Sequence, residues 1–370
     1  MLNNTISAAD AVVQADILCM VEDLSYELDT LQGKNILFTG GAGFLGYEFL
    51  HLLAQIGDDD KRIPVNLTVY ENFSRGRKKW LEDLACKDNI SLIEHDITQP
   101  LPDHAANFDY IIHAASIASP TYYRLKPIET IDANVNGLRH LLDYARCRAE
   151  ANDPILGMLF FSTSEIYGDP SPEAIPTSET YRGLVSCTGP RACYDESKRL
   201  GETLCVNFAH QHNVPVKIAR PFNNYGPGLS LNDKRILPDL ARNMFQGDDL
   251  VLLSDGLATR TFCYVTDAVT GYIKILVRGG VGESYNIGIE TPEISMRELA
   301  RLVANLGAEY CNYEGTVSYQ KSLDPAYLTD NPNRRCPNIS KAREDLGYAP
   351  KIKLDDGLRK SIIWYGENRE

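Results

Sequence analysis

Tyr194 and Lys198 stand four positions apart in GPRACYDESKR, a spacing of one helical turn that places a phenol and an ammonium group on one face. Such a pair is a candidate for proton transfer. Spacing alone does not decide, because Tyr122 and Lys126 in YYRLK have the same offset. A second signature is KNILFTGGAGFLGYEFLHLLAQIG, residues 34–57, where Gly40, Gly41, Gly43 and Gly46, with Phe44 and Leu45 among them, separate an apolar run from a helical pattern. These glycines allow a tight turn and close backbone approach, and the helix start then offers free N–H groups to a pyrophosphate. The next strand, VNLTVYEN, ends in Glu71 and Asn72, where a carboxylate can accept the hydroxyls of a ribose diol and repel a 2′-phosphate. NAD is therefore favoured as cofactor, with Arg75 and Arg77 nearby keeping NADP open.

The elements that must hold these residues follow from periodicity. A third strand runs to IEHDIT, giving Asp96 and Ile97; a fourth, YIIHAAS, gives Ala114, Ala115 and Ser116, small enough for a cofactor to lie against the strand ends. LRHLLDYARCRAE, GMLFFSTS, ESKRLGETLCVNFAHQHN and VKIARPFNN continue the alternation of helix and strand. That pattern predicts an α/β fold with a doubly wound parallel (Rossmann) sheet. The expected division is a cofactor-binding domain over 34–223, with 259–290 contributing. A smaller C-terminal substrate-binding lobe is built mainly from 224–370.

A chain of 370 residues exceeds what one hydrophobic core usually serves. With 37 basic and 50 acidic residues the net charge is −13, which disfavours nucleic acid and anionic membranes as partners. The nine cysteines are scattered without C-x-x-C or zinc-like spacing, so they read as reduced thiols of a cytoplasmic protein with no metal site. No Lys or Arg precedes Lys34, and Asp16, Glu22 and Asp23 interrupt the apolar stretch from Val12 to Leu24, which argues against a signal peptide or membrane span. Val13, Ile17, Met20, Val21, Leu24 and Leu28 share one stripe, predicting an amphipathic helix over 8–30 within an N-terminal extension, 1–33. It should dock on its own domain or a sister subunit, a regulatory role being the alternative.

Taken in order, TGGAGFLG, HAAS, STSEIYGDP, GPRACYDESKRLGET, ARPFNNYGPG and ATRTFCYVTD resemble the extended short-chain dehydrogenase/reductase family of nucleotide-sugar enzymes, and within it the UDP-glucuronate-decarboxylating branch. The likeness runs from about residue 34 to 365. It implies NAD as cofactor, Tyr194 with Lys198 as the catalytic pair, Thr163 bonded to the sugar 4-OH and Asn134 in support. A phenol with a reference pKa of about 10 is a poor base without a nearby cation. Tyr122–Lys126 is then assigned to a loop lining the sugar pocket. Ser164 and Glu165 stand where related 4,6-dehydratases carry an Asp-Glu pair, so the acid for a leaving hydroxyl is absent. A glucuronate needs no such acid, because oxidation at C4 puts its carboxylate beta to a ketone.

The resemblance places Arg335 near that carboxylate, with Arg334 as the competing neighbour. It further implies Asn223, Arg235 and Arg260 at the nucleotide diphosphate and Arg191 at the sugar. The expected reaction is redox-neutral conversion of UDP-glucuronate to UDP-xylose, with Ser164 and Glu165 positioning the sugar or a water. Gly228 departs from the arginine common after Gly-Pro in this branch, so another acidic sugar, a 4-epimerisation without decarboxylation or a heptose-type substrate remains open, with a 4,6-dehydratase of the same family as a further alternative. A non-catalytic NAD-binding protein would show a broken Thr/Tyr/Lys set, which is intact here. The family also implies a homodimer joined through the helix after Asn134 and the helix of Tyr194, whose apolar faces carry Leu138, Leu141 and Leu142, and Leu200, Leu204 and Phe208.

Overall fold

A computed structural model describes residues 6–57, 62–102, 105–324 and 327–369. Residues 58–61 of the long connection GDDDKRIP lie outside them. Seven strands form one sheet: β1 (Asn35–Thr39), β2 (Asn66–Glu71), β3 (Ile90–Glu94), β4 (Tyr110–His113), β5 (Gly157–Phe161), β6 (Val216–Pro221) and β7 (Ser284–Ile287). Their order is β7-β6-β5-β4-β1-β2-β3, every pair parallel. Inner strands such as β5 are buried along their whole length, as helices on both faces require. The order reverses between β1 and β4, and that switch point opens a crevice at the strand C-termini.

On one face, α3 (Phe44–Gln55) and α7 (Val265–Arg278) pack on the sheet; on the other lie α5 (Leu138–Glu150) and α6 (Ala192–His212), with α4 (Pro120–Leu125) at the crevice. Leu138, Leu141, Leu142 and Phe208 are buried against Leu37, Ile111, Met158 and Phe160. The apolar face of α5 therefore belongs to the core and not to an external surface, contrary to the reasoning offered for a dimer. Leu200 and Val206 of α6 are 47% and 46% exposed. Among the described residues no helix is long and apolar enough to cross a membrane.

The N-terminal stripe forms two helices instead of one. α1 (Ala8–Asp23) is capped by the Ser7 hydroxyl, which accepts from the Asp10 N–H at 3.1 Å, and α2 is Ser25–Leu31. Leu24, wholly buried, sits at the break, so the stripe keeps facing the core as the axis changes. The extension docks on its own chain, against α3, α7 and α8 (Leu354–Glu367). Buried Asp16 accepts from the Tyr264 hydroxyl at 2.6 Å and pairs with Lys360 of α8 at 2.5 Å. Burial pushes the Asp16 carboxyl up, and Lys360 pulls it back. Asp16→Ala leaves both partners unsatisfied and should cost roughly 2–4 kcal/mol. Calorimetric melting is the check, and an unchanged midpoint would show that this contact does not hold the helix.

Candidate active site

The glycine turn has no room for side chains. At Gly40, φ +76°, an added Cβ would lie 2.6 Å from Ala115 Cα; at Gly46 it would meet the Gly41 carbonyl oxygen at 2.1 Å. Behind the turn, Glu71 accepts from the N–H groups of Ala42 at 3.0 Å and Phe73 at 3.1 Å, so one carboxylate braces the end of β2 against the glycines. Asn72 donates to Asp96 at 3.3 Å, and Asp96 also accepts from the Thr98 N–H at 2.9 Å. Burial works to raise the Asp96 carboxyl, but the Thr98 and Asn72 donors prevail and hold it below the usual range. Ile97 packs on Gly137 in a π-helical turn, Ala133–Gly137. From that turn Asn134 accepts from the Ser116 hydroxyl at 2.7 Å and donates to Ser197 at 2.9 Å. These crowded backbones, and a carboxylate at the end of β2, fit a dinucleotide.

A cavity of about 440 Å³ runs from the turn toward the C-terminal segment. Gly40, Gly43, Phe44, Leu45, Gly46, Ala114 and Ser116 line it; Glu71, Asn72, Asp96, Ile97, Ala115 and Asn134 are not among its lining residues. Thr163, Ser164, Glu165, Tyr194 and Lys198 also line it, with Arg191, Asn223, Arg235, Arg260 and Arg335; the Arg235 guanidinium lies 5.5 Å from the Phe44 ring centre. Tyr194 and Lys198 come from the first turns of α6. Lys198 Nζ lies 5.8 Å from the Tyr194 ring centre and donates to the Phe161 carbonyl at 2.8 Å. Burial pushes Lys198 down to about 7 and pushes the Tyr194 phenol up, the Thr163 hydroxyl bonded to it pulling the other way.

Glu165 begins beside the end of β5 and is gripped from two sides. Arg335 engages both of its carboxylate oxygens and Arg191 takes one of them. Burial acts to raise this carboxyl, but Arg191 and Arg335 overrule it and hold it down to about 2. Arg335 comes from a short strand, Arg334–Arg335, paired in parallel with Thr259–Arg260, so Arg335 sits opposite Arg260. Arg334 points away and pairs with Glu293 at 2.7 Å.

The NAD dependent epimerase/dehydratase family profile matches residues 36–288. The chain belongs to that family. UDP-glucuronic acid decarboxylase 1 of Xenopus tropicalis is 38% identical over 337 residues, 91% of this chain and 73% of that protein. UDP-glucuronic acid decarboxylase 3 of Arabidopsis thaliana is 37% identical over 326 residues, 87% of this chain and 86% of the relative. Among solved structures, an epimerase of Methanothermobacter thermautotrophicus superposes with a TM-score of 0.78 at 24% identity, covering 94% of this chain and 96% of that one. UDP-glucuronic acid 4-epimerase of Bacillus cereus, in complex with UDP-glucuronic acid and NAD, gives 0.72 at 22%, covering 90% and 99%. These two structures speak to the fold.

One expectation changes within this family frame, and two further contacts come to light. Tyr122 is outside the cavity lining, its hydroxyl donating to the Asn232 carbonyl at 3.2 Å and its ring lying 5.1 Å from the Arg75 guanidinium. Its segment is helix α4 and not a loop, so adjacent side chains point about 100° apart and Tyr123 enters the cavity instead. Pro120, a good first helical residue, was the available signal. Tyr123 stacks on Tyr194 with ring centres 5.0 Å apart and planes 7° from parallel. Asp195, also passed over, is buried beside Arg191; burial and then Glu165 push it up to about 7. Arg335, expected near a sugar carboxylate, here holds a carboxylate of the protein itself.

Gly228 has a structural cause. With φ +83°, its Cβ would approach Tyr47 Cβ to 2.5 Å, and Tyr47 is wedged against Trp80 and Trp364 at 4.9 and 5.5 Å between ring centres. Gly228→Arg should therefore destabilise by roughly 2–4 kcal/mol through strain and overpacking. Thermal unfolding checks it, and an equal or higher melting point would refute this account. A further expectation concerns Glu71→Ala, which removes the brace behind the glycines. It should raise the Kd for NAD about tenfold or more, the scale of a lost charge-assisted contact. Calorimetry with cofactor-stripped protein reads this directly, and an unchanged Kd would remove Glu71 from the cofactor site.

Proposed function

We propose that the protein converts UDP-glucuronate to UDP-xylose, with loss of carbon dioxide and no net consumption of NAD. The observation that carries this reading is the convergence of Arg191 and Arg335 on one carboxylate position in the cavity that Tyr194 also lines, where Glu165 shows what chemistry the site accepts. The relatives described above are named as UDP-glucuronic acid decarboxylases. When bound, NAD takes a hydride from the sugar C4 and later returns it.

Tyr194 removes the 4-OH proton while Thr163 holds that hydroxyl and Lys198 supplies a compensating charge. The resulting 4-ketone makes the C5 carboxylate a β-keto acid, whose C–C bond electrons pass into an enolate as carbon dioxide leaves. Protonation at C5 by a proton from water and return of the Tyr194 proton to O4 complete the product. Ser164 offers no acid for a leaving hydroxyl, which argues against dehydration. Arg235, Arg260 and Asn223 are assigned to the diphosphate, and Tyr123 joins Arg191 at the sugar. A 4-epimerase acting on the same uronate would use the same guanidinium groups, and product mass separates the two.

The proposal includes a homodimer in the cytoplasm. The dimer face is assigned to the exposed apolar residues of α6, Leu200 and Val206, together with Ile128 of the adjoining Pro127–Asp132 helix, 64% exposed. All nine cysteines are free, three of them exposed, as suits a reducing compartment. Tyr194→Phe should reduce carbon dioxide release from UDP-glucuronate by about a thousandfold, the scale of a lost acid–base group. Release at the unsubstituted rate would exclude oxidation before decarboxylation. Conversion of a UDP- or dTDP-hexose to its 4-keto-6-deoxy product, with UDP-glucuronate untouched, would place the protein in another branch.

A further inference from the structure

Glu165 is an unusual tenant of a substrate cavity. Its carboxylate takes both nitrogens of the Arg335 fork and one of Arg191, while its own backbone N–H donates to the Thr163 hydroxyl at 3.2 Å. Arg260, opposite Arg335 in register, and Asp195, 3.5 Å from Arg191, complete the charged group. With Asp195 neutral the three arginines carry two charges beyond Glu165; with it ionised, one. Vacating the position without replacing its charge would strip buried Arg335 of its carboxylate and leave Arg191 with Asp195 alone, which is strongly unfavourable. Replacing one carboxylate by another keeps the charge and the bidentate geometry. Glu165 sits in a short 3₁₀ turn, Ser164–Tyr167, a kind of backbone with weaker hydrogen bonds than an α-helix.

We propose that Glu165 is the specificity gate of this site: it occupies the place of the substrate carboxylate on Arg335 and Arg191, and only a sugar carrying its own carboxylate displaces it. This rests on the uronate reading above and adds a direction to it. A hexose with a neutral C6 hydroxymethyl group offers nothing to exchange, so the protein's own carboxylate excludes it. The uronate swaps anion for anion, and the released Glu165 is then free beside Thr163 and the sugar ring.

The test separates binding from turnover. In NAD-loaded Tyr194→Phe protein, which holds substrate without converting it, UDP-glucuronate and UDP-glucose are titrated by calorimetry, with and without Glu165→Gln. Removing the competing charge should lower the Kd for UDP-glucuronate about tenfold, the scale of one charge-assisted contact, and should lower that for UDP-glucose as well, because the carboxylate that excludes it is gone. Unchanged or weaker UDP-glucuronate binding overturns the exchange. Should the Gln variant fail to fold, a crystal structure of the Tyr194→Phe protein with NAD and UDP-glucuronate decides instead. The uronate carboxylate on Arg335 with Glu165 turned away supports the gate, and an intact Glu165–Arg335 pair beside bound uronate refutes it. If the unsubstituted enzyme releases no carbon dioxide from UDP-glucuronate, the functional reading fails; if it does and the Gln variant binds no tighter, only the gate fails.

Discussion

One half-buried carboxylate sets the terms for the arginine-lined part of the cavity. Glu165 joins residues 26 and 170 positions away, Arg191 and Arg335, in a cavity between the parallel sheet and the C-terminal segment. Charges taken out of water are tolerable only when each keeps its partner, so the end of β5, the start of α6 and the strand at 334–335 must arrive together. The local chain explains which arginine enters. Successive residues of a strand face opposite sides, so when Arg334–Arg335 pairs with Thr259–Arg260, Arg334 turns out to Glu293 and Arg335 turns in.

The glycine turn is organised by backbone crowding rather than charge. The topology brings the ends of β1 and β4 side by side, and Gly40 is needed because Ala115 already fills the space. Across the crevice the π-helical turn delivers Asn134 into a chain of fully satisfied polar groups. Ser116 donates to Asn134, Asn134 donates to Ser197, and Ser197 donates to the Tyr194 carbonyl at 3.0 Å. A buried network with every member paired is rigid, and this one ties the end of β4 to the turn of α6 that carries the phenol. The two regions therefore meet on Tyr194 from opposite directions, through hydrogen bonds on one side and the stacked ring of Tyr123 on the other.

Local signals carried much of this. Glycine spacing, strand ends and the Tyr194–Lys198 turn all act within a few residues, so the sheet and the cofactor wall were legible in the sequence. What was not legible depended on direction or distance. Tyr122 and Tyr123 differ only by the helical phase of α4. The leucines of α5 form an apolar face, and periodicity cannot say whether such a face meets a sheet or another subunit. Leu24 preserves the hydrophobic stripe while breaking the helix, which a pattern of apolar positions does not register. The occupation of Arg335 by Glu165 requires two segments 170 residues apart to be placed, and no local pattern encodes that contact.

Burial sets a problem for the reactive pair that the same burial solves. Taken singly, Tyr194 and Lys198 are both driven toward their neutral forms, the phenol upward and the ammonium down to about 7. A neutral phenol with a neutral amine, and a phenolate with an ammonium, contain the same number of protons and the same net charge. Moving the proton between them creates two opposite charges in a medium of low dielectric, where their attraction is strong and each raises the tolerance for the other. The cost of ionising either group alone is thus a poor guide to the cost of ionising both. Lys198 is anchored by the Phe161 carbonyl, and the Thr163 hydroxyl bonded to Tyr194 already favours the phenolate. On the proposed function, the tyrosine serves as a base near neutral pH because its partner is buried with it and not because either residue is individually activated.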